Sequence, residues 1–264
     1  MQMPKILSKS PLSLVLVQVR FPSGLTALGE RNYDKLNELF NNDYPFAKTK
    51  SVPPLQIQTD SGTIQVGNVT QRRVYSTADL SWNVTIAESF INVYCICERD
   101  IRAYTGREDC VDRLKDVLGK ISTLISVDTV SRIAYRYVNR IPYKNLQKVE
   151  GLFKSESLGF VQNFATSRME LSNSTNEANF VVDQDSSIVL NVRSGVLGPG
   201  DVPDPSVKPI KDSSTWVVDM DASQTEKIPT DISEMAEQIR HLANIEHDFF
   251  AQHIITEEFI KEYK

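Results

Sequence analysis

The stretch that most constrains the fold is Arg132-Ile133-Ala134-Tyr135-Arg136-Tyr137-Val138-Asn139-Arg140-Ile141-Pro142. In an extended chain, successive side chains point to opposite faces. Ile133, Tyr135, Tyr137, Asn139 and Ile141 then share one face; Ala134, Arg136, Val138 and Arg140 share the other. β-branched and aromatic residues suit a pleated surface, and Pro142 ends the run because it cannot donate to a ladder. The stretch has an echo at Val15-Leu16-Val17-Gln18-Val19-Arg20-Phe21-Pro22. Setting Arg20-Phe21-Pro22 on Arg140-Ile141-Pro142 gives an offset of 120 and puts arginines on the same face in both copies. Lys35-Leu36-Asn37-Glu38-Leu39-Phe40 similarly resembles Lys148-Val149-Glu150-Gly151-Leu152-Phe153. Both matches are short enough to arise by chance. The reading adopted is a tandem duplication, with halves 1–128 and 129–264 forming one pseudo-symmetric unit.

The rest of the chain fits that plan. After the strand at 11–22, Tyr33, Leu36, Leu39 and Phe40 have helical spacing. Strands are expected at 55–59, 63–67, 71–77, 80–87 and 89–97, punctuated by Asp60-Ser61-Gly62 and Gly67-Asn68. Thr105-Gly106-Arg107-Glu108 has the form of a capping box opening a helix over 109–126. In the second half a helix is expected over 146–154, and strands at 162–171, 178–184, 187–193 and 215–221. A helix over 231–253 and a last short helix from Thr256 close the chain. The proline-rich run from Gly198 to Pro209 reads as a mobile excursion over 198–213 with few packed side chains.

The fold class is therefore α+β: two β-α-β(3-4)-α repeats sharing a continuous curved antiparallel sheet, with the long helices on one face. This order resembles the TATA-binding-protein-like fold and other helix-grip folds. Fold-level likeness carries no function.

Composition excludes more than it assigns. A net charge of -5 argues against general nucleic-acid affinity, though not against a local basic surface. Three cysteines, Cys95, Cys97 and Cys110, are too few for a disulfide framework and have no zinc-ligand spacing. Buried thiols in a reducing cytosol are expected. No apolar run is long enough for a membrane helix. His241, His247 and His253 stand six apart and so do not share a helical face. No Gly-rich phosphate loop and no nucleophile elbow occurs.

Two constellations remain. Arg20, Arg136 and Arg140, with Arg72, Arg73 and Arg193 as further candidates, would line the sheet face away from the helices. Guanidinium forks there could hold an anionic ligand or an acidic partner, or pair with strand carboxylates as a structural network. Asp183, Asp185, Asp219 and Asp221 alternate in pairs along two strands. Clustered, they could take a divalent cation for phosphodiester hydrolysis; as turn residues they need do nothing.

Ser10-Pro11-Leu12 leading to Arg20-Phe21-Pro22, Tyr44-Pro45, Tyr104, Arg136-Tyr137-Val138-Asn139-Arg140-Ile141, Asp219-Met220-Asp221, Phe250 and Ile255-Thr256 follow one another over nearly the full length of the chain, and their order is what makes the set distinctive. In this the chain is similar to a sporadically distributed, poorly characterised bacterial protein family. The resemblance supplies no activity or catalytic residues; a patchy distribution would suit a defence or toxin–antitoxin setting. The expectation is a cytosolic, non-enzymatic binding or sensing protein with a protein partner or a second copy of itself, and no cofactor. The alternative is a metal-dependent nuclease or phosphoesterase using the aspartates.

Overall fold

The computed structural model describes the backbone of residues 7, 9–22, 24–52, 55–59, 62–66, 70–125, 128–142, 146–159, 171–182 and 185–264. In chain order the first elements are β1 (Leu12–Arg20), α1 (Tyr33–Phe40), β2 (Phe46–Val52), β3 (Leu55–Thr59), β4 (Gly62–Val66), β5 (Thr70–Ser76), β6 (Trp82–Ala87), β7 (Phe90–Ile96) and α2 (Arg107–Ile121). They continue with β8 (Arg132–Pro142), α3 (Leu146–Leu152), α4 (Ser155–Leu158), β9 (Ser174–Val182), β10 (Asp185–Leu197), β11 (Thr215–Gln224), α5 (Ile232–Phe249) and α6 (Glu257–Tyr263). The fold is α+β. Nine strands form one antiparallel sheet in the order β2-β5-β6-β7-β1-β8-β11-β10-β9, and β3-β4 is a separate hairpin.

The two strands singled out in the sequence are the centre of this sheet. β1 and β8 pair with each other, with Leu16 opposite Arg136 and Arg20 opposite Arg132. Outward from them the order is β7, β6, β5, β2 on one side and β11, β10, β9 on the other. Val15, Val17 and Val19 of β1 and Ile133 and Tyr135 of β8 are fully buried beneath the helices. α2 packs on β1 and β7, α5 packs on β8 and β11, and the two helices touch. Burial of this stripe, at about 25 cal/mol per Å² of apolar surface, is what holds the helices to the sheet.

Helix ends have readable causes. Asp231 caps α5, its carboxylate accepting from the amides of Ser233 and Glu234. The capping box expected at α2 does not form. The N-cap is Gly106, the Thr105 hydroxyl donates to Asp109, and Glu108 pairs instead with Arg240 of α5 at 2.7 Å. A contact between helices has taken the glutamate that the local motif needed. Beyond Phe249 the helix continues as a π turn, Phe250–Ile254, so the α-helix is shorter than the expected 231–253.

Three further differences from the sequence reading concern strands. Residues 46–52, for which the pattern suggested no element, form edge strand β2. β9, β10 and β11 all run longer than their patterns suggested. The strand expected at 162–171 lies, but for its last residue, outside the described residues; Leu171 itself is not in a strand.

The largest correction concerns 198–213. This run is not a loose excursion but a strap lying across the sheet face opposite the helices. Val207 is buried there with Leu14, Tyr94, Ile96, Val138 and Val217 in a second apolar cluster. The amide of Gly200 donates to the Ile210 carbonyl and that of Val207 to Asp204, which closes the strap on itself. Proline satisfies a segment that needs no ladder bonds, so high proline content is as compatible with a fixed strap as with a mobile loop.

Candidate functional site

The even-numbered residues of β1 and β8 face the strap, and the strap covers only part of them. Where it ends, a cleft of about 430 Å³ opens, lined by Leu16, Gln18, Arg20, Asn92, Arg132, Arg136, Asp204 and Asp221. Its floor is the pleat of β7, β1 and β8, so its side chains are placed by strand register rather than by loops.

Of the three arginines singled out in the sequence, Arg136 is anchored most firmly. Its guanidinium forks Asp219 (Nε to Oδ1 2.8 Å, Nη2 to Oδ2 2.9 Å), reaches Asp204 of the strap at 2.8 Å and donates to the Pro203 carbonyl at 3.2 Å. Burial disfavours its charge, but Asp219 and Asp204 more than offset this and hold its pKa above the ordinary guanidinium value. Arg140 lies under the strap with its side chain 3% exposed, pairing with Glu98 at 2.6 Å and donating to the Lys208 carbonyl at 2.8 Å. Both tie the strap to the sheet, the kind of contact that the structural-network alternative expects of these two. Only Arg136 also lines the cleft.

Arg20 differs. It is exposed at the cleft rim, bonds only Gln18 (Nε to Oε1, 2.7 Å) and makes no ion pair among the described residues. Opposite it in register stands Arg132, which the sequence reading had not picked out as a site residue. Arg132 donates to the same Gln18 oxygen at 2.9 Å and forks Asp221 at 2.8 and 2.9 Å. Gln18 is held in turn through its amide nitrogen, which donates to Asn92 at 2.9 Å. Two guanidiniums thus share one neutral acceptor, while Asp221 meets Arg132 from β11, on the side of β8 away from β1. Parity along β8 could have found Arg132; nothing in the sequence marks Asn92 or Asp204.

The other candidates scatter. Arg193 meets Asp219 from β10. Arg72 is on the cleft side. Arg73 is not: it turns to the helix face, bonding Asn37 and lying over the rings of Tyr33 and Tyr75. Asp219 and Asp221 share the cleft face, but their oxygens are met by Arg136, Arg193 and Arg132. Asp183 and the side chain of Asp185 fall outside the described residues. Among the described residues no group of three or more His, Cys, Asp and Glu gathers as metal ligands. The histidines stand apart on α5 and the π turn.

A second polar cluster lies on the helix side. The hydroxyls of Tyr104, Tyr135 and Tyr137 form a triad with separations of 2.5, 3.2 and 3.2 Å. Burial pushes the Tyr104 and Tyr135 hydroxyls well up. The three free thiols are also buried on this side, and no helix among the described residues is long and apolar enough to cross a membrane. In comparisons with known proteins, the chain matches no family model and no curated protein sequence.

Proposed function

We propose that the chain is a non-enzymatic binding protein that seats an anionic group of its ligand or partner between Arg20 and Arg132. One observation carries this: the two guanidiniums are direct cross-strand neighbours, and Arg20 meets no carboxylate among the described residues. Like charges directly opposite on a sheet repel. A carboxylate or phosphate placed between the two would remove that repulsion, and guanidinium forks such groups in two-point fashion. Arg136, locked by Asp219 and Asp204, fixes the cleft wall rather than reaching for the ligand.

The test is calorimetric titration with inorganic phosphate and pyrophosphate. Wild type should bind at least one of them, and Arg20→Ala should weaken binding about tenfold or more with melting unchanged, because Arg20 is exposed. No binding by wild type, or binding indifferent to Arg20→Ala, overturns the reading.

The strand order also supports reading the chain as two copies of one unit, 1–128 and 129–264, in a TATA-binding-protein-like or helix-grip arrangement. Leu16 and Arg136, which the offset of 120 makes equivalent, are themselves register partners in the central pair. β7, β6 and β5 would then answer to β11, β10 and β9, and α2 to α5; β2 and the β3-β4 hairpin have no counterpart among the described elements.

A further inference from the structure

We infer that the ligand of this face is a single-stranded nucleic acid, lying across the strands along a row of cations that begins at the Arg20–Arg132 seat. The inference rests on the anion-binding reading of the cleft and extends it. Following the register outward, Arg132 stands opposite Arg20, Arg20 opposite Phe90, and Phe90 opposite Ala87. Arg73 pairs with Ile86, so Arg72 falls beside Ala87, and Lys50 is opposite Arg72. Residues opposite one another share a face. Lys50, Arg72, Phe90, Arg20 and Arg132 therefore form one line across six strands, on the strap side of the sheet. Neighbouring strands lie about 4.8 Å apart, so the line is about 24 Å long, with about 14 Å between Arg72 and Arg20.

Lys50, Arg72 and Arg20 make no ion pair among the described residues, and neither does Lys48, two residues along β2 from Lys50 on the same face. Arg72 also carries a buried Nε without a hydrogen-bond partner. Burial together with Lys48 and Arg72 holds Lys50 below the ordinary lysine pKa, as expected of a cation set among cations. Asp204, at the edge of the strap, acts in the opposite direction on Lys50, and its ion pair is with Arg136, which stands off the row. A chain of net charge -5 has thus gathered on one row three cations, Lys50, Arg72 and Arg20, that are unpaired among the described residues. That arrangement fits a polyanion better than a single small anion.

The half-buried ring of Phe90 decides which polyanion. It sits between the two cation pairs, Lys50–Arg72 and Arg20–Arg132. Basic tracks with an aromatic platform between the charges suit single strands, whose phosphates take the cations while a base stacks on the ring. An acidic peptide would use the cations and leave Phe90 in water. A duplex would keep its bases stacked inside.

The test uses the full chain and three probes: a fluorescein-labelled 15-nucleotide oligothymidylate, a deca-glutamate peptide and inorganic phosphate. The oligonucleotide should bind most tightly, with log affinity falling against log salt at a slope of about -2.8 for four contacted phosphates. Lys50→Glu with Arg72→Glu should weaken it by more than tenfold and bring the slope to about -1.4 or shallower, with phosphate binding unchanged. Phe90→Leu should cost about tenfold by loss of stacking. If the double variant does not fold, Lys50→Ala alone should reduce the slope by about 0.7. Preference for deca-glutamate overturns the inference in favour of an acidic protein. Phosphate binding without oligonucleotide binding overturns it and leaves the cleft reading standing; binding of neither removes both. Oligonucleotide binding indifferent to Lys50, Arg72 and Phe90 overturns the row.

Discussion

Glu246 is an acid in the wrong place by every solvation argument. It is fully buried on α5; Oε1 accepts from the Ala222 amide at 2.8 Å, and Oε2 has no hydrogen-bond partner among the described residues. Burial, then Asp221 and Asp219, push its pKa well above the ordinary glutamate value against the Ala222 amide and Arg136. The folded state therefore holds the proton more tightly than the unfolded chain. Its contribution is complete below the unfolded pKa and is lost as pH rises toward the folded one, at roughly 1.4 kcal/mol per pH unit. Glu246→Gln keeps the shape and the Ala222 bond without an ionisable proton. It should melt higher than wild type at pH 7, with the difference shrinking toward pH 5. Melting curves that differ by a constant amount across this range would show that Glu246 is not the titrating group. Gly195 of β10 is a second residue-scale test. Its φ is +154°, and an added Cβ would lie 1.9 Å from the Ser174 carbonyl oxygen of β9. Gly195→Ala should cost roughly 2–4 kcal/mol by denaturant titration, because backbone has to move. The sequence showed neither site: a glutamate on a helix reads as a solvated residue until the tertiary contacts of its face are known. It showed Arg136 and Arg140 well, since alternation along a strand fixes the face. What those arginines touch was hidden, because Asp204 and Glu98 come from remote segments.

At the scale of elements, the strap reverses the reading its prolines suggested. Arg136 and Arg140 hold Asp204, Pro203 and Lys208 to the sheet, and Val207 completes an apolar cluster that would otherwise face water. Replacing residues 200–212 by a short Gly-Ser linker should therefore lower the melting temperature substantially. The closure entropy of a loop changes too slowly with length to account for such a fall, so the loss would report the lost packing and ion pairs. An unchanged melt would mean that the strap is not anchored. Arg136→Ala should act in the same direction, by about 3 kcal/mol, the low end for a broken buried pair, because it leaves Asp219, 4% exposed, without its fork and with the more exposed Arg193 as its remaining partner. Arg136→Ala at wild-type stability would return that arginine to the ligand. β2 was missed for a related reason. Phe46-Ala47-Lys48-Thr49-Lys50-Ser51-Val52 lacks hydrophobic alternation because the strand is an edge, and lysines on an edge deter further pairing. Central strands announce themselves by burial on one face; edges and straps are defined by what they lie against, which one sequence does not contain.

At the scale of the whole molecule, the segments 1–128 and 129–264 meet through the elements that would be hardest to leave unpaired. β1 and β8 are the middle of the sheet, not its margins, and share a ladder from Leu12 to Arg20. α2 and α5 pack against one another, and residues from both halves belong to a single apolar cluster, from Val15 and Leu114 to Met220 and Leu242. Separating the chain near residue 128 would expose the inner edge of β1 or β8, strip α2 or α5 of its neighbour and break the Glu108–Arg240 pair. An exposed inner edge is also a template for unwanted pairing. Residues 1–128 and 129–264 made separately should therefore each give collapsed amide spectra and aggregate at micromolar concentration. Mixed from denaturant, they should recover a dispersed spectrum and one cooperative melt, because each supplies the missing edge and helix face of the other. Two halves that melt cooperatively alone, with no gain on mixing, would show that each carries its own core and that the central pair merely joins them.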